Sequence, residues 1–189
     1  KITFQGEYGA YSHLACSKAF PKLEAIPSRT FESALDNVRR GECDLAMIPV
    51  ENSVAGRVAD IHYLLGGYDL KIYSEHFQKV EHQLLVKPGV NLNEVKYVRS
   101  HSMALGQCQE VISELGLSTI VMADTAGSAK YISEQENSKD AAIASKLAAE
   151  TYGLKIVKDD IQDMKHNTTR FLIMSKDLQQ KKVEKSKYL

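Results

Sequence analysis

The feature that most constrains this chain is the alternation of short apolar runs with segments of helical period. Such alternation is the signature of an α/β protein with largely parallel sheets. The apolar runs predict strands at Ile2–Gln5, Asp44–Pro49, Leu70–Phe77, Glu81–Val86, Tyr97–Ser100, Ser118–Ala123, Ala141–Ala144, Leu154–Lys158 and Arg170–Ser175. Phe31, Ala34, Leu35 and Val38 share one helical face between Thr30 and Arg40, ahead of a stop at Gly41. Leu105, Cys108, Ile112 and Leu115 predict one helix from Met103 to Gly116, and Ser145 is placed to cap a helix that Gly153 ends.

The run of elements is long for one small sheet and breaks near Lys79, which predicts two α/β lobes with a ligand cleft between them. Composition narrows the classes. The 189 residues carry 24 basic and 24 acidic side chains, so no overall field draws a polyanion or a membrane surface. No apolar stretch approaches the ~20 residues that span a bilayer. Three cysteines, Cys16, Cys43 and Cys108, are scattered without metal spacing and suit a reducing, cytoplasmic setting. No Walker loop, H-E-x-x-H, dinucleotide fingerprint or Ser-His-Asp order is present, which disfavours metal and cofactor chemistry.

Small molecules bind beyond the carboxyl ends of strands in open α/β sheets, and here those positions are polar. Gly6-Glu7-Tyr8-Gly9 forms a turn into a helix whose amides can hold an anion or merely connect two elements. Glu51-Asn52-Ser53 follows a strongly apolar strand, where an unpaired carboxylate is costly to bury. Ser100-His101-Ser102 opens a helix; Ser102 as its cap explains one residue and leaves Ser100, His101 and Gln107 unexplained. Asp124-Thr125-Ala126 repeats the theme, with Thr125 the default cap. Several helix N-termini on one cleft favour a small anion such as a dicarboxylate. Before the last strand, Asn167-Thr168-Thr169-Arg170 packs hydrogen-bonding groups beside a guanidinium that can fork onto a carboxylate or pair with a local acid.

In this order, Gly6-Glu7-Tyr8-Gly9-Ala10-Tyr11-Ser12, Glu51-Asn52-Ser53, Ser100-His101, Asp124-Thr125-Ala126 and Asn167-Thr168-Thr169-Arg170-Phe171 resemble the prephenate dehydratase family. The match spans Ile2 to Met174, and Thr169-Arg170-Phe171 is similar to the family's Thr-Arg-Phe motif. The resemblance implies a fold like the type II periplasmic binding proteins. By the same resemblance, residues 1–176 would form the catalytic domain, with one lobe of about 1–77 plus 160–176 and another of about 78–159. It implies a cofactor-free enzyme that converts prephenate to phenylpyruvate in phenylalanine biosynthesis, by 1,4-elimination of water and carbon dioxide. Thr169 matches the threonine that assists the departing hydroxyl. Glu51, Asn52, Ser53, Ser100, His101, Gln107, Thr125, Ala126, Thr168 and Phe171 match substrate-binding positions, and Arg170 matches either a carboxylate clamp or a structural partner.

The pattern departs from the family at Ser102-Met103, where many members read Pro-Gln after Ser-His, so no family role carries over to those two side chains. Family members continue into a phenylalanine-sensing ACT domain; residues 177–189 read as a linker toward such a domain, with truncation the favoured explanation. The family implies a homodimer or homotetramer, no nucleic acid and no membrane. Two alternatives stay open: an arogenate dehydratase, which runs the same reaction on the aminated substrate, and a non-catalytic small-anion binding protein of the same fold. The latter ordinarily carries an export signal, and none is read here.

Overall fold

The computed structural model describes residues 1–177, and side chains for all of these but 59, 60 and 62. The expected linker therefore lies, beyond its first residue, outside the described residues. In chain order the elements are β1 (Ile2–Gln5), α1 (Tyr11–Ala19), β2 (Ala25–Ser28), α2 (Phe31–Arg39), β3 (Leu45–Asn52), β4 (Gly56–Arg57), α3 (Ala59–Leu65), β5 (Lys71–Lys79), β6 (Gln83–Val86), β7 (Tyr97–Ser100), α4 (Ser102–Gly106), α5 (Gln109–Glu114), β8 (Ser118–Val121), α6 (Thr125–Glu134), β9 (Ala141–Ala144), α7 (Lys146–Tyr152), β10 (Lys155–Lys158) and β11 (Thr168–Ser175).

The strands form two sheets, hence two α/β lobes. The first has the order β2-β1-β3-β11-β5 with β4 paired to β3, and the second β10-β6-β9-β7-β8. Helices cover both faces of each. Around the first sheet, Leu35, Val38 and Ile48 lie in one core, and Phe4, Met47 and Phe171 in another. Around the second, Leu84, Val98 and Ile143 pack on one side, and Leu85, Ile132 and Ala148 on the other. Among the described residues no helix is long and apolar enough to cross a membrane.

The sheets are mixed rather than largely parallel. β1 runs parallel to β2 and β3, but β11 enters between β3 and β5 antiparallel to both. In the second sheet β6 is antiparallel to β9 and β10. The cause is the path of the chain, which leaves the first lobe after β5 and returns after β10. The two crossing segments are hydrogen-bonded to each other, Val80 N–H donating to Asn167 O at 2.8 Å.

Local corrections have local causes. The single helix expected from Met103 is broken at Cys108, whose φ of −129° is not helical. β2 has the sequence Ala-Ile-Pro-Ser, and its proline and brevity hide it from strand periodicity. The caps expected at Ser102 and Thr125 belong to the preceding residues: His101 accepts from Met103 N–H through its ring, and Asp124 Oδ1 accepts from Gly127 N–H. Ser145 does cap α7, and Gly153 ends it at a φ of +64°. The three cysteines are free and buried, and burial pushes the thiols of Cys16 and Cys108 up to about 12.

The lobes also meet away from the crossing segments. Ser145 Oγ donates to Gly9 O at 2.5 Å, Tyr152 hydroxyl to Tyr8 O at 2.7 Å, and Lys130 pairs with Glu7 at 3.2 Å. Gly9, at a φ of +87°, sits so close to α7 that a Cβ there would lie 2.7 Å from Ala148 Cα.

Candidate active site

The paired strands β3 and β11 supply the first two functional side chains. Asn52 lies opposite Thr169 in the antiparallel register, so both project from the same face at the end of the sheet. The register shifts between Arg170 and Phe171, a bulge that re-aims the strand ends. A cleft pocket of about 240 Å³ opens there, walled by Asn52 and Thr169 from the first lobe and by His101, Gln107, Asp124 and Thr125 from the second, with Tyr11, Val80 and His82 between. A larger cavity of about 620 Å³ lies at the opposite end of the first sheet, against Phe20, Cys43 and Tyr73, and holds none of the expected site residues.

Hydrogen bonds settle where the protons sit. Asn52 Oδ1 accepts from the backbone N–H groups of Val54 and Ala55 at 3.0 and 2.8 Å, so its amide cannot be reversed. Its Nδ2 donates to Thr169 Oγ1 at 2.9 Å and to Asn167 Oδ1 at 2.8 Å. Thr169 therefore receives a proton from Asn52, and its own O–H is left to point elsewhere. Asn167 Nδ2 donates to Gln107 Oε1 at 2.9 Å, which leaves the NH2 of Gln107 as the free end of a residue lining the pocket. His101 Nδ1 accepts from Met103 N–H at 3.3 Å, so a neutral ring carries its proton on Nε2.

Behind this layer, His82 Nε2 lies 2.9 Å from Gln107 Oε1, and His82 Nδ1 lies 2.8 Å from the Tyr11 hydroxyl. Burial holds the His82 imidazole below its ordinary pKa, opposed by the Gln107 hydrogen bond. Tyr11 is pushed well up, chiefly by burial, with Cys108 and Glu81 adding to it.

The lining is electrically unusual for a site that would hold an anion. No Lys or Arg among the described residues lines the pocket. What lines it are uncharged hydrogen-bonding side chains, Thr169 and Gln107, together with the His101 ring and Thr125 at the first turn of α6. Asp124 is the exception, and its Oδ1 is occupied as the α6 cap.

Of the residues matched to the catalytic and substrate-binding positions, Asn52, His101, Gln107, Thr125 and Thr169 meet in this pocket. The others do not line it. Ser100 is buried and donates to Ile143 O at 2.6 Å. Ser53 donates to His166 O and accepts from Thr168 N–H, so Ser53 and Thr168 tie the β3–β4 turn to the start of β11. Arg170 alternates to the other face of β11 from Thr169 and pairs with Glu75 at 2.7 Å. Glu51 lies opposite Arg170 and is exposed. Phe171 is in the core of the first lobe, and Ala126 is fully buried in the first turn of α6. Tyr11 and Asn167 stood inside the motifs that carry the family resemblance without being assigned to the site, and nothing local marked His82.

The family model for prephenate dehydratase matches residues 2–179. The bifunctional N-acyl-homoserine lactone acylase/prephenate dehydratase of Komagataeibacter europaeus is 47% identical over 93% of this chain and 62% of that protein. Arogenate dehydratase/prephenate dehydratase 2 of Arabidopsis thaliana is 41% identical over 94% of this chain and 46% of that protein. The chain thus spans about half to three fifths of these relatives. Among solved structures, prephenate dehydratase from Arthrobacter aurescens in complex with L-Phe matches at a TM-score of 0.85 and 32% identity, covering 93% of this chain and 60% of that one. The methionine binding protein MetQ, at a TM-score of 0.51 and 14% identity over 94% of this chain and 85% of that one, shares the two-lobed periplasmic-binding-protein-like fold alone.

Proposed function

The chain belongs to the prephenate dehydratase family, and from that premise we propose that it converts prephenate to phenylpyruvate by coupled loss of water and carbon dioxide. The ring carboxylate leaves as carbon dioxide, its bonding pair enters the ring, and the ring hydroxyl departs with a proton as water. Aromatisation drives the step, so the protein's task is to orient both leaving groups and stabilise charge on the departing oxygen.

The observation that carries this reading is the proton arrangement at Thr169. Its Oγ1 accepts from Asn52, so its own hydroxyl proton is available to a departing oxygen. A threonine hydroxyl is a weak acid, and its role is a strengthening hydrogen bond in the transition state. The amides of Asn52 and Asn167 cannot readily pass protons along, so the chain behind Thr169 aims the hydroxyl rather than reloading it. The uncharged side chains that line the pocket, Thr169 and Gln107, suit the same chemistry. A guanidinium clamped on the ring carboxylate would stabilise the ground state that must lose it, whereas neutral donors hold the substrate without that penalty.

Arogenate has one observation in its favour as the substrate: Asp124 lines the pocket and offers a carboxylate to an ammonium group. Purified protein given prephenate and arogenate side by side, with phenylpyruvate and phenylalanine measured, tests both dehydratase readings. Formation of neither product sinks them.

A further inference from the structure

Gln107 can serve the substrate as a donor only if its carboxamide is held with Oε1 inward. Asn167 supplies one hydrogen bond to that oxygen, and His82 stands at the second, 2.9 Å away. The order of protons leading to His82 leaves no choice. Backbone N–H groups fix Asn52; Asn52 fixes Asn167; Asn167 makes Gln107 Oε1 an acceptor. The histidine nitrogen facing an acceptor must carry a proton, which leaves Nδ1 bare in the neutral ring. The Tyr11 hydroxyl, 2.8 Å from that Nδ1, has one proton to give; it also lies within donating distance of Glu81 O at 2.9 Å, but Glu81 O has a second donor in Gln83 Nε2 at 3.2 Å, which leaves the Tyr11 proton for the histidine. His82 is only 3% exposed, its backbone N–H is held by Gln162 Oε1 at 2.9 Å, and it lies on the segment by which the chain crosses between lobes.

We infer that His82, steadied by Tyr11, is a positioning residue of the dehydration site: its Nε2–H locks the Gln107 carboxamide with NH2 toward the substrate. The opposite tautomer would set two lone pairs against each other and leave Gln107 held by Asn167 alone. The lock joins the lobes as well, since Tyr11 and Asn167 stand on the first-lobe side of the Gln107–His82 pair. The activity arm of this inference rests on the dehydratase reading above; the tautomer arm does not.

The test compares His82→Leu, which fills space without a donor, with His82→Gln, whose side-chain nitrogen reaches nearly the same point as Nε2. With prephenate, kcat/KM is expected to fall about ten- to a hundredfold in His82→Leu and to recover to within about threefold of the parent in His82→Gln. Nitrogen-15 shifts of the unliganded parent protein are expected to show His82 protonated on Nε2 and bare at Nδ1. A purely space-filling residue would not separate the two variants. The inference is overturned if His82→Leu matches the parent, if His82→Gln is no better than His82→Leu, or if the ring is protonated on Nδ1 alone. Should His82→Leu not fold, Tyr11→Phe takes its place: a severalfold loss of kcat/KM with the ring still protonated on Nε2 supports the steadying of His82 by Tyr11, and parental kcat/KM overturns it. If the parent turns over neither prephenate nor arogenate, the dehydratase reading fails while the nitrogen shifts still decide the tautomer.

Discussion

Asn52 donates to the Thr169 hydroxyl oxygen at 2.9 Å while its own carbonyl is held by two backbone N–H groups. The strand register that sets the two residues opposite each other joins positions 117 apart in the chain. Because the amide cannot turn, Asn52 makes no claim on the threonine proton, and Thr169 lines the pocket.

Asn52→Asp keeps the shape and reverses the chemistry. A carboxylate accepts where the amide donated, so it recaptures the Thr169 proton and faces Asn167 Oδ1 with like polarity. Turnover of prephenate is expected to drop on the order of a hundredfold, the size of a lost transition-state hydrogen bond. Steady-state kinetics on folded variant checks this, and parental kcat would remove Asn52 from the account.

Arg170 faces away from the pocket and pairs with Glu75 at a half-exposed site. Arg170→Met is expected to leave KM for prephenate within about threefold and to cost less than about 1 kcal/mol of stability. A KM raised by tenfold or more would restore the carboxylate clamp that the sequence left open.

Gly9→Ala sets a methyl against Ala148 in a backbone conformation that alanine resists. Strain of about 1–3 kcal/mol is expected in urea unfolding, together with reduced kcat/KM because the turn that meets α7 must move. Unchanged stability would mean that the contact between the lobes yields freely.

Burial lowers the pKa of His82, and also that of His13. Unfolded histidines bind a proton near pH 6.5, and these two bind it only at lower pH when folded. Their contribution to stability is therefore present above about pH 6.5 and lost as pH falls through the folded-state values. Urea midpoints are expected to decline between about pH 7 and 5, above the range where most carboxylates titrate, and His82→Gln should flatten part of that decline. A midpoint that rises on acidification would contradict the sign.

The legible parts of this molecule were those whose signal is local. Apolar runs such as Leu45–Val50 and Ala141–Ala144 marked buried strands, and the stripe of Ala34, Leu35 and Val38 marked a helix face. Asn52 and Thr169 stand in polar runs beside strands, but it was the resemblance to the family's ordered motifs that singled them out, together with Gln107. The illegible parts depend on distant partners. His82 looked like the start of a strand because Glu81 to Val86 is continuous, and only its partners 71 and 25 positions away make it part of the site. Arg170 and Thr169 are neighbours in the motif but lie on opposite faces of one strand, a distinction that a linear motif does not carry.

The central claim is that the Thr169 hydroxyl assists departure of water from prephenate, and Thr169→Ala tests it most directly through single-turnover formation of phenylpyruvate. The expected result is a rate about a hundredfold lower with substrate binding nearly unchanged, partly restored in Thr169→Ser. Parental turnover in a folded Thr169→Ala protein would contradict it.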